Sequence, residues 1–228
     1  MNITAISSGS KGNAYLVSDG ETTLLLDAGV TFKKIQEATG YQTSNIAATL
    51  VTHRHGDHTA AITQMIKRGM KVYAPYDVTE KYPGVEPLDS RKTLQVGTFT
   101  AIPFDVPHDV PCFGWLIDTA HTSERLVYVT DAEYVKYRFH GITHLMLEAN
   151  YSKEKLMERA DAGELPVKLA ERIMRTHMSI DTALSFIKAN DMDKIKEIYL
   201  LHLSNDNSHA ENFKRQVQEE TGAEVYVC

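Results

Sequence analysis

The apolar and polar positions along the chain change their period several times, and each period predicts a different element. Two alternating apolar runs around the Asp19-Gly20 turn, "NAYLVSDGETTLLLDAG", predict a β-hairpin. "TFKKIQEATG" has helical spacing and ends at Gly40. The β-branched run "AATLVTH" predicts a buried strand, "TAAITQMIKRG" predicts a helix that ends at Gly69, and "MKVYAP" predicts the next strand.

The middle of the chain is rich in predicted strands, whereas the part after Ser152 is rich in predicted helices. The strands are "TLQVGTFTAIPFDVPHD", "CFGWLIDTA", "RLVYVTDA" and "THLMLEAN", and the helices are "KEKLMERADAG", "LPVKLAERIMR" and "SIDTALSFIKAN". The strand "EIYLLHL", the helix "HAENFKRQVQEETG" and the strand "AEVYVC" follow. Strands followed by helices, with the order repeated, predict an α/β fold of two sheets packed face to face with helices on both outer faces. We therefore expect a four-layer α/β/β/α sandwich that residues 1–228 form as a single domain.

The composition is that of a globular chain: 228 residues of 25.6 kDa, 43% hydrophobic and 24% charged. This length suits one domain, or two small halves that share a core. No apolar run approaches the roughly 20 residues of a membrane helix, so we expect no membrane partner. Because no secretory signal is visible and Cys112 and Cys228 make no disulfide framework, we expect a cytoplasmic location. The net charge of −6 argues mildly against nucleic-acid binding, but two bound divalent cations would offset four of those charges.

The segment "VTHRHGDH", residues 51–58, places three histidines and an aspartate where a predicted strand gives way to a helix. Loops at strand ends commonly carry function, and imidazole and carboxylate groups are metal ligands. His53 and His55 alternate on an extended segment, so they point the same way and can share one ion. Asp57 and His58 lie one step further on and would face a second ion. Asp57 could instead cap the helix N-terminus.

Three more candidate ligands, His108, Asp131 and His202, stand at the ends of other predicted strands. A single histidine in such a place is more often structural than a ligand. Three candidates that each end a strand favour a metal site that needs more ligands than "HRHGDH" supplies. Apart from His177, we expect the other histidines to be surface residues, because they stand in predicted turns or at helix starts, namely His121, His140, His144 and His209.

"HRHGDH" matches the H-x-H-x-D-H signature of the metallo-β-lactamase superfamily, and the likeness extends along the chain. "SGSKGN", "LLLDAG", "LEANY", "ERIMRTHMS" and "HLSNDN" resemble the YycJ/WalJ branch, whose members are double-stranded DNA 5′→3′ exonucleases. That branch is similar to ribonuclease Z and to cyclic-nucleotide phosphodiesterases. The resemblance implies two divalent ions, zinc or manganese. It implies one ion on His53, His55 and His108, the other on Asp57, His58 and His202, and Asp131 as a bridge, with Asp57 counted among the catalytic residues.

The resemblance also gives roles to three residues outside the ligand set. His177 in "RTHMS" stands where ribonuclease Z has the histidine that protonates the leaving oxygen, and Glu148 in "LEANY" resembles the glutamate that orients it. Asp27 resembles the aspartate that orients ligating imidazoles. His177 could instead be a solvated histidine beside a helix, and Asp27 could be a polar residue in a turn.

The implied substrate is the end of duplex DNA, and the implied process is recombination or repair. Small proteins of this type resemble phage-encoded nucleases that act beside a RecT-like single-strand annealing protein. Basic residues would contact the DNA backbone, namely Lys153, Lys155, Arg159, Lys168, Arg172 and Arg175. Because acidic residues are interleaved with them, these could also form an ordinary solvated helix face. Further expected phosphate contacts are Ser8, Ser10, Asn13, Ser204 and Asn205.

Three other functions compete with the exonuclease. A cyclic-nucleotide phosphodiesterase or a ribonuclease Z-like RNA hydrolase would use the same ligands. A lactone or thioester hydrolase would not need His177. A binding module that keeps metal only for stability is disfavoured, because structural sites usually close every coordination position.

Overall fold

The chain forms two structural units in the computed structural model, which describes residues 1–228. The first unit comprises Met1–Asp105 and Val110–Glu124. The second comprises Val106–Asp109 and Arg125–Cys228. The prediction of a single domain is not tested by this division and stays a prediction.

The first unit is built on a six-stranded sheet. Its strands, in spatial order, are β1 (Asn2–Ser7), β2 (Ala14–Ser18), β3 (Thr23–Leu26), β4 (Ile46–Leu50), β5 (Val72–Ala74) and β6 (Glu86–Pro87). The first three strands pair antiparallel, and β3 to β6 pair parallel. The unit also contains α1 (Phe32–Ala38), α2 (Gly56–Thr59), α3 (Ile62–Ile66), α4 (Tyr76–Lys81), β7 (Leu94–Val96), β9 (Cys112–Thr119) and all but the last residue of β8 (Phe99–Val106).

The predicted hairpin of β2 and β3 is confirmed, and a buried aspartate fixes its turn. Asp19 accepts the backbone N–H groups of Glu21 and Thr22 at 3.0 and 2.9 Å and the hydroxyls of Thr98 and Thr119 at 2.5 Å each. Burial alone would raise the pKa of Asp19, but these four hydrogen bonds together outweigh it and hold the pKa well below its usual range. The ionised carboxylate therefore ties the turn to the strands around Thr98 and Thr119.

The second unit is built on four parallel strands, β10 (Arg125–Val129), β11 (His144–Glu148), β12 (Glu197–Leu201) and β13 (Glu224–Val227). Its helices are α5 (Lys153–Asp161), α6 (Val167–Thr176), α7 (Ile180–Ala189) and α8 (Ala210–Thr221). All five residues of β11 are buried. Such continuous burial is typical of a parallel strand that is covered on both faces.

The structure also corrects the sequence prediction. β1, α4 and β6 were not predicted, because each is short or lacks a clean apolar period. The prediction that His144 is a surface residue is wrong. His144 begins β11 and is buried, with its Nδ1 2.9 Å from the Thr143 hydroxyl and its Nε2 3.7 Å from Glu197. None of the helices combines the length and the apolar character that crossing a membrane requires.

Candidate active site

In the first unit, the candidate ligands lie at the carboxyl ends of two neighbouring parallel strands. Leu26 of β3 pairs with Leu50 of β4, and Asp27 and Thr52 follow these strand ends. Carboxyl ends of adjacent parallel strands converge at one edge of a sheet, where ligand sites are common. We call the residues gathered here the first cluster: Asp27, Thr52, His53, His55, Asp57 and His58.

Close backbone packing holds the metal motif in place. The Asn13 N–H donates to the Asp57 carbonyl at 2.8 Å, and the Gly29 N–H donates to the Asn13 carbonyl at 2.8 Å. A Cβ atom on Gly29 would lie 1.6 Å from the Asp57 carbonyl oxygen, so only glycine fits there. The Asn13 side chain is fully buried and lies 3.0 Å from His58 Nε2, while its Oδ1 accepts the Gly9 N–H at 2.9 Å. These contacts describe a residue that shapes the site, and its predicted phosphate contact remains untested.

Two imidazole nitrogens of the first cluster lie close enough together to share a metal ion. His53 and His58 are fully buried, and His53 Nε2 lies 3.0 Å from His55 Nδ1. Two nitrogen ligands on a tetrahedral zinc ion, at about 2.0–2.1 Å each, lie roughly 3.3 Å apart. The spacing of these two nitrogens therefore fits a shared cation.

Asp27 contacts this cluster through both of its carboxylate oxygens. It is fully buried, its Oδ2 lies 2.8 Å from His58 Nδ1, and its Oδ1 accepts the Thr52 N–H at 2.8 Å. This environment does not match a polar residue in an exposed turn. The neighbouring Asp57 lies inside α2, whose N-cap is His55, so Asp57 is not the cap residue. Asp57 Oδ2 instead lies 3.6 Å from His58 Nε2.

The second unit repeats the arrangement on its own parallel strands. Asp131 follows β10, Glu148 ends β11 and His202 follows β12, and these three strands are adjacent. His177 comes directly after α6, and His108 lies after β8. These five residues form the second cluster. The ligand atoms of all its members except His108 lie within 4.8 Å of one another.

Glu148 is the centre of the second cluster. Its side chain is fully buried, and its Oε1 lies 2.7 Å from His177 Nδ1 and 3.5 Å from His202 Nδ1. Its Oε2 accepts the N–H groups of Ala132 and Met178 at 2.9 and 3.1 Å. One carboxylate therefore contacts both imidazoles and is itself fixed by the backbone.

The side chains around Glu148 also contact one another or respond to its charge. The rings of His177 and His202 stack at 5.1 Å with an interplanar angle of 15°. His202 Nε2 lies 3.6 Å from Asp131 Oδ1, the geometry of two groups that can ligate one ion. Burial and then the charge of Glu148 raise the pKa of Tyr151 to about 12, so this phenol stays protonated at neutral pH.

His108 is oriented by a backbone carbonyl. Its Nδ1 lies 3.1 Å from the Thr176 carbonyl oxygen, which can only accept, so Nδ1 carries the proton. Its Nε2, the nitrogen left to bind a metal, lies 3.1 Å from Asp109 Oδ1. The other oxygen of Asp109 lies 3.7 Å from Arg172 Nη2.

Some of the residues predicted to contact DNA are exposed, whereas others make hydrogen bonds within the protein. Lys155 donates to the Ser208 carbonyl at 3.0 Å and Arg159 to Asn207 Oδ1 at 2.7 Å, so both hold the loop after His202. The exposed residues are Ser10, Lys153, Lys168, Arg172, Arg175 and Asn205. Ser8 and Ser204 are half-buried and accept hydrogen bonds from the Tyr15 hydroxyl and the Asn207 N–H.

Three residues that contact the candidate histidine ligands were not predicted from the sequence. Thr52 lies between Asp27 and His53, Cys112 Sγ lies 3.7 Å from His53 Nδ1, and the Asn150 amide lies 3.0 Å from His202 Nδ1. Thr52 and Asn150 each stand within quoted motifs, "VTHRHGDH" and "LEANY". Cys112 carried no sequence signal.

Known proteins resemble this chain in sequence and in fold. A family model described as "Beta-lactamase superfamily domain" matches residues 22–203. "Exodeoxyribonuclease YycJ" of Bacillus anthracis is 29% identical to this chain, over 97% of the chain and 90% of that protein. "Exodeoxyribonuclease WalJ" of Streptococcus pneumoniae serotype 2 is 28% identical, over 89% and 81%. The metallo-beta-lactamase fold protein YhfI from Bacillus subtilis has a TM-score of 0.75 at 20% identity, over 99% of this chain and 95% of that one. The predicted fold, an α/β sandwich of the metallo-β-lactamase type, is confirmed.

Proposed function

The chain belongs to the β-lactamase superfamily and is one of its metal-dependent hydrolases, and on that premise we propose that it is an exodeoxyribonuclease. Its proposed substrate is duplex DNA, which it degrades 5′→3′ in recombination or repair. The names of the YycJ and WalJ relatives support the exodeoxyribonuclease assignment.

We propose that the candidate ligands hold two divalent ions, zinc or manganese, as the family resemblance implies. His53, His55 and His108 would hold one ion, Asp57, His58 and His202 would hold the other, and Asp131 would bridge them. Such ions, when bound, stabilise the negative charge on the attacking and leaving oxygens of a phosphodiester. In support, the Nδ1 atoms of His58 and His108 already contact Asp27 and the Thr176 carbonyl, which directs each Nε2 to a ligand role.

The observation that carries the proposal is the hydrogen bond between His177 and Glu148. The 2.7 Å contact of Nδ1 with a buried carboxylate favours a protonated imidazole, whose Nε2 proton can be donated. Cleavage of the P–O3′ bond of DNA releases a 3′-alkoxide, a strong base that departs slowly unless it is protonated. We propose that His177 delivers this proton from Nε2 to the 3′-oxygen, and that Glu148 orients it. A lactone or thioester hydrolase has less need of such a donor.

The exposed cations of α6 supply a surface for the DNA backbone. Lys168, Arg172 and Arg175 recur at intervals of four and three residues, so they lie on one face of α6, and all three are exposed. His177 lies two residues beyond Arg175. Phosphate contacts by such residues give affinity that is independent of base sequence and falls as salt rises. A RecT-like single-strand annealing protein is the proposed partner in recombination.

The test uses the purified protein with manganese or zinc and four substrates: end-labelled duplex DNA, single-stranded DNA, RNA and cyclic nucleotides. A 5′ label on duplex DNA should appear at once in mononucleotides, whereas a 3′ label should remain in shortening fragments. Asp131→Ala is the inactive control and should lose at least one metal. Opening of cyclic nucleotides without attack on DNA would identify a cyclic-nucleotide phosphodiesterase, and cleavage of RNA alone would identify an RNA hydrolase.

A second experiment tests the DNA surface separately from the chemistry. Reversing the charge of Arg172 and Arg175 to glutamate should weaken duplex binding more than it slows hydrolysis of a small chromogenic phosphodiester. Arg215→Glu, an exposed position on α8, is the matched control. Equal effects of the α6 and α8 variants on DNA binding would refute the proposed surface.

A further inference from the structure

Thr52 occupies the space between three members of the first cluster. It is fully buried, and its hydroxyl lies 3.0 and 3.1 Å from the two oxygens of Asp27. The same hydroxyl lies 3.0 Å from His53 Nδ1 and 3.3 Å from His58 Nδ1. The proposed set of metal ligands does not include Thr52 and gives it no role.

The single hydroxyl proton can serve only one of these neighbours. An aspartate carboxylate can only accept, so the short Oγ1 contacts with Asp27 require that Thr52 donates its proton there. His58 Nδ1 lies closer to Asp27, at 2.8 Å, and donates directly to the carboxylate. The hydroxyl then retains only lone pairs for His53, and it can accept the His53 Nδ1–H.

We propose that Thr52 is a positioning residue that fixes the tautomer of His53. With the proton on Nδ1, the His53 lone pair lies on Nε2, the atom that faces His55 Nδ1 at 3.0 Å. Asp27 thus orients two imidazoles, His58 directly and His53 through the Thr52 hydroxyl. The inference rests on the metal centre of the proposed function, because it concerns how strongly His53 binds that metal.

Cys112 is the competing partner of the same nitrogen. Its sulfur lies 3.7 Å from His53 Nδ1, whereas the Thr52 oxygen lies at 3.0 Å. Sulfur is a weak acceptor, so the hydroxyl is the stronger partner. Cys112→Ala should therefore leave metal affinity within a few-fold of the wild type.

The first measurement is metal affinity by competition with a chelator, on Thr52→Val and Thr52→Ser. Valine keeps the shape and removes the hydroxyl, and the affinity for one ion should fall about 10–100-fold, as is typical when a ligand loses its orienting partner. Serine keeps the hydroxyl and should stay near wild type. Thr49→Val is the matched control, since Thr49 is fully buried in β4 and its hydroxyl has no hydrogen-bond partner. The absorption spectrum of the cobalt-loaded protein should change in Thr52→Val alone.

A second measurement uses the wild-type protein and therefore does not depend on whether a Thr52 variant folds. Two-bond ¹H–¹⁵N spectra of metal-free wild-type protein should show His53 as the Nδ1–H tautomer, with His53→Gln used to assign its signals. An Nε2–H tautomer would overturn the inference. So would equal metal affinity in wild type and Thr52→Val, equal losses in the Thr52→Val and Thr49→Val variants, or a loss in Cys112→Ala as large as in Thr52→Val. A wild-type protein that binds no metal would instead refute the proposed metal centre, and the inference with it.

Discussion

Replacing Glu148 by glutamine should damage metal binding as well as proton transfer. The family resemblance treats Glu148 only as the residue that orients His177. In the structure, Glu148 Oε1 contacts both His177 Nδ1 and His202 Nδ1. A glutamine can keep its oxygen on the N–H groups of Ala132 and Met178, which places its NH₂ group at the position of Oε1. His177 would then face a donor where it now faces an acceptor. His202, whose Nδ1 also lies 3.0 Å from the Asn150 amide, would lose the negative charge of the carboxylate beside that nitrogen.

The size of the effect follows from the two contacts. Loss of the partner that orients a metal-ligating histidine typically costs 10–100-fold in metal affinity, about 1.4–2.8 kcal/mol. Loss of a positioned general acid costs roughly 10²–10⁴-fold in rate. We therefore expect Glu148→Gln to bind metal about 10–100-fold more weakly, and to cleave duplex DNA about 10²–10⁴-fold more slowly even when metal is saturating. The free energy of unfolding should fall by only about 1–2 kcal/mol, because the backbone hydrogen bonds persist with a neutral acceptor.

The assay is a titration of metal against a chelator, followed by single-turnover cleavage of duplex DNA at saturating metal. Glu158→Gln, an exposed glutamate on α5, removes the same charge elsewhere in the second unit and should leave both quantities unchanged. His177→Ala separates the two contacts, because it removes the acid while His202 keeps its partner. Wild-type metal affinity in Glu148→Gln would refute the idea that the 3.5 Å contact with His202 matters.

Three further predictions follow from single residues. His177→Ala should keep both metals and slow cleavage of duplex DNA about 10²–10⁴-fold. The rate on a chromogenic phenolate ester should fall much less, because that leaving group needs no acid. Equal losses of rate on the two substrates would show that His177 is not the general acid. Asp19→Asn should lower the free energy of unfolding at pH 7 by about 1.5–3 kcal/mol. Because the folded pKa of Asp19 is depressed, its contribution is present above the unfolded value of about 3.9 and is lost as the pH falls towards the folded pKa; urea titrations from pH 7 to pH 2 should therefore converge for the two proteins, and a constant gap would contradict this. Asp131→Gly and Asp131→Ala should be equally inactive, yet glycine should be more stable to urea by about 1–2 kcal/mol, since Asp131 has a φ of +50°; identical unfolding midpoints would show that this backbone is not strained.

The positions of several candidate site residues were predictable because they follow the apolar run of a buried strand. A buried parallel strand is recognised by its continuous hydrophobic residues, and the first polar residue after it must lie at the edge of the sheet. Asp27 and His202 come directly after β3 and β12, and Asp131 comes two residues after the end of β10. The strand order within each unit then brings neighbouring strand ends together.

The contacts between site residues were not predictable, because they join positions far apart in the sequence. Asp27 and Thr52 are 25 residues apart, and Glu148 and His177 are 29 apart. No local pattern indicates that one carboxylate reaches two imidazoles, since this depends on strand register and on the backbone groups that hold the carboxylate. For the same reason His144 was wrongly expected at the surface: its burial comes from its place at the start of a central strand, which its turn-like neighbours conceal.

Backbone strain connects the fold with the chemistry. Three of the six non-glycine residues with positive φ are Asp27, Asp131 and His202, at +56°, +50° and +53°. A left-handed backbone costs an L-residue roughly 1–2 kcal/mol, and aspartate, asparagine and histidine adopt it more often than other side chains. Hydrogen bonds hold the conformation in place: the Asp27 N–H donates to the Leu50 carbonyl at 2.9 Å, and the His202 carbonyl accepts the Asn150 amide at 2.7 Å. The sharp turn after each strand thus selects the same residue types that metal ligation requires, so one position satisfies the backbone and the site together.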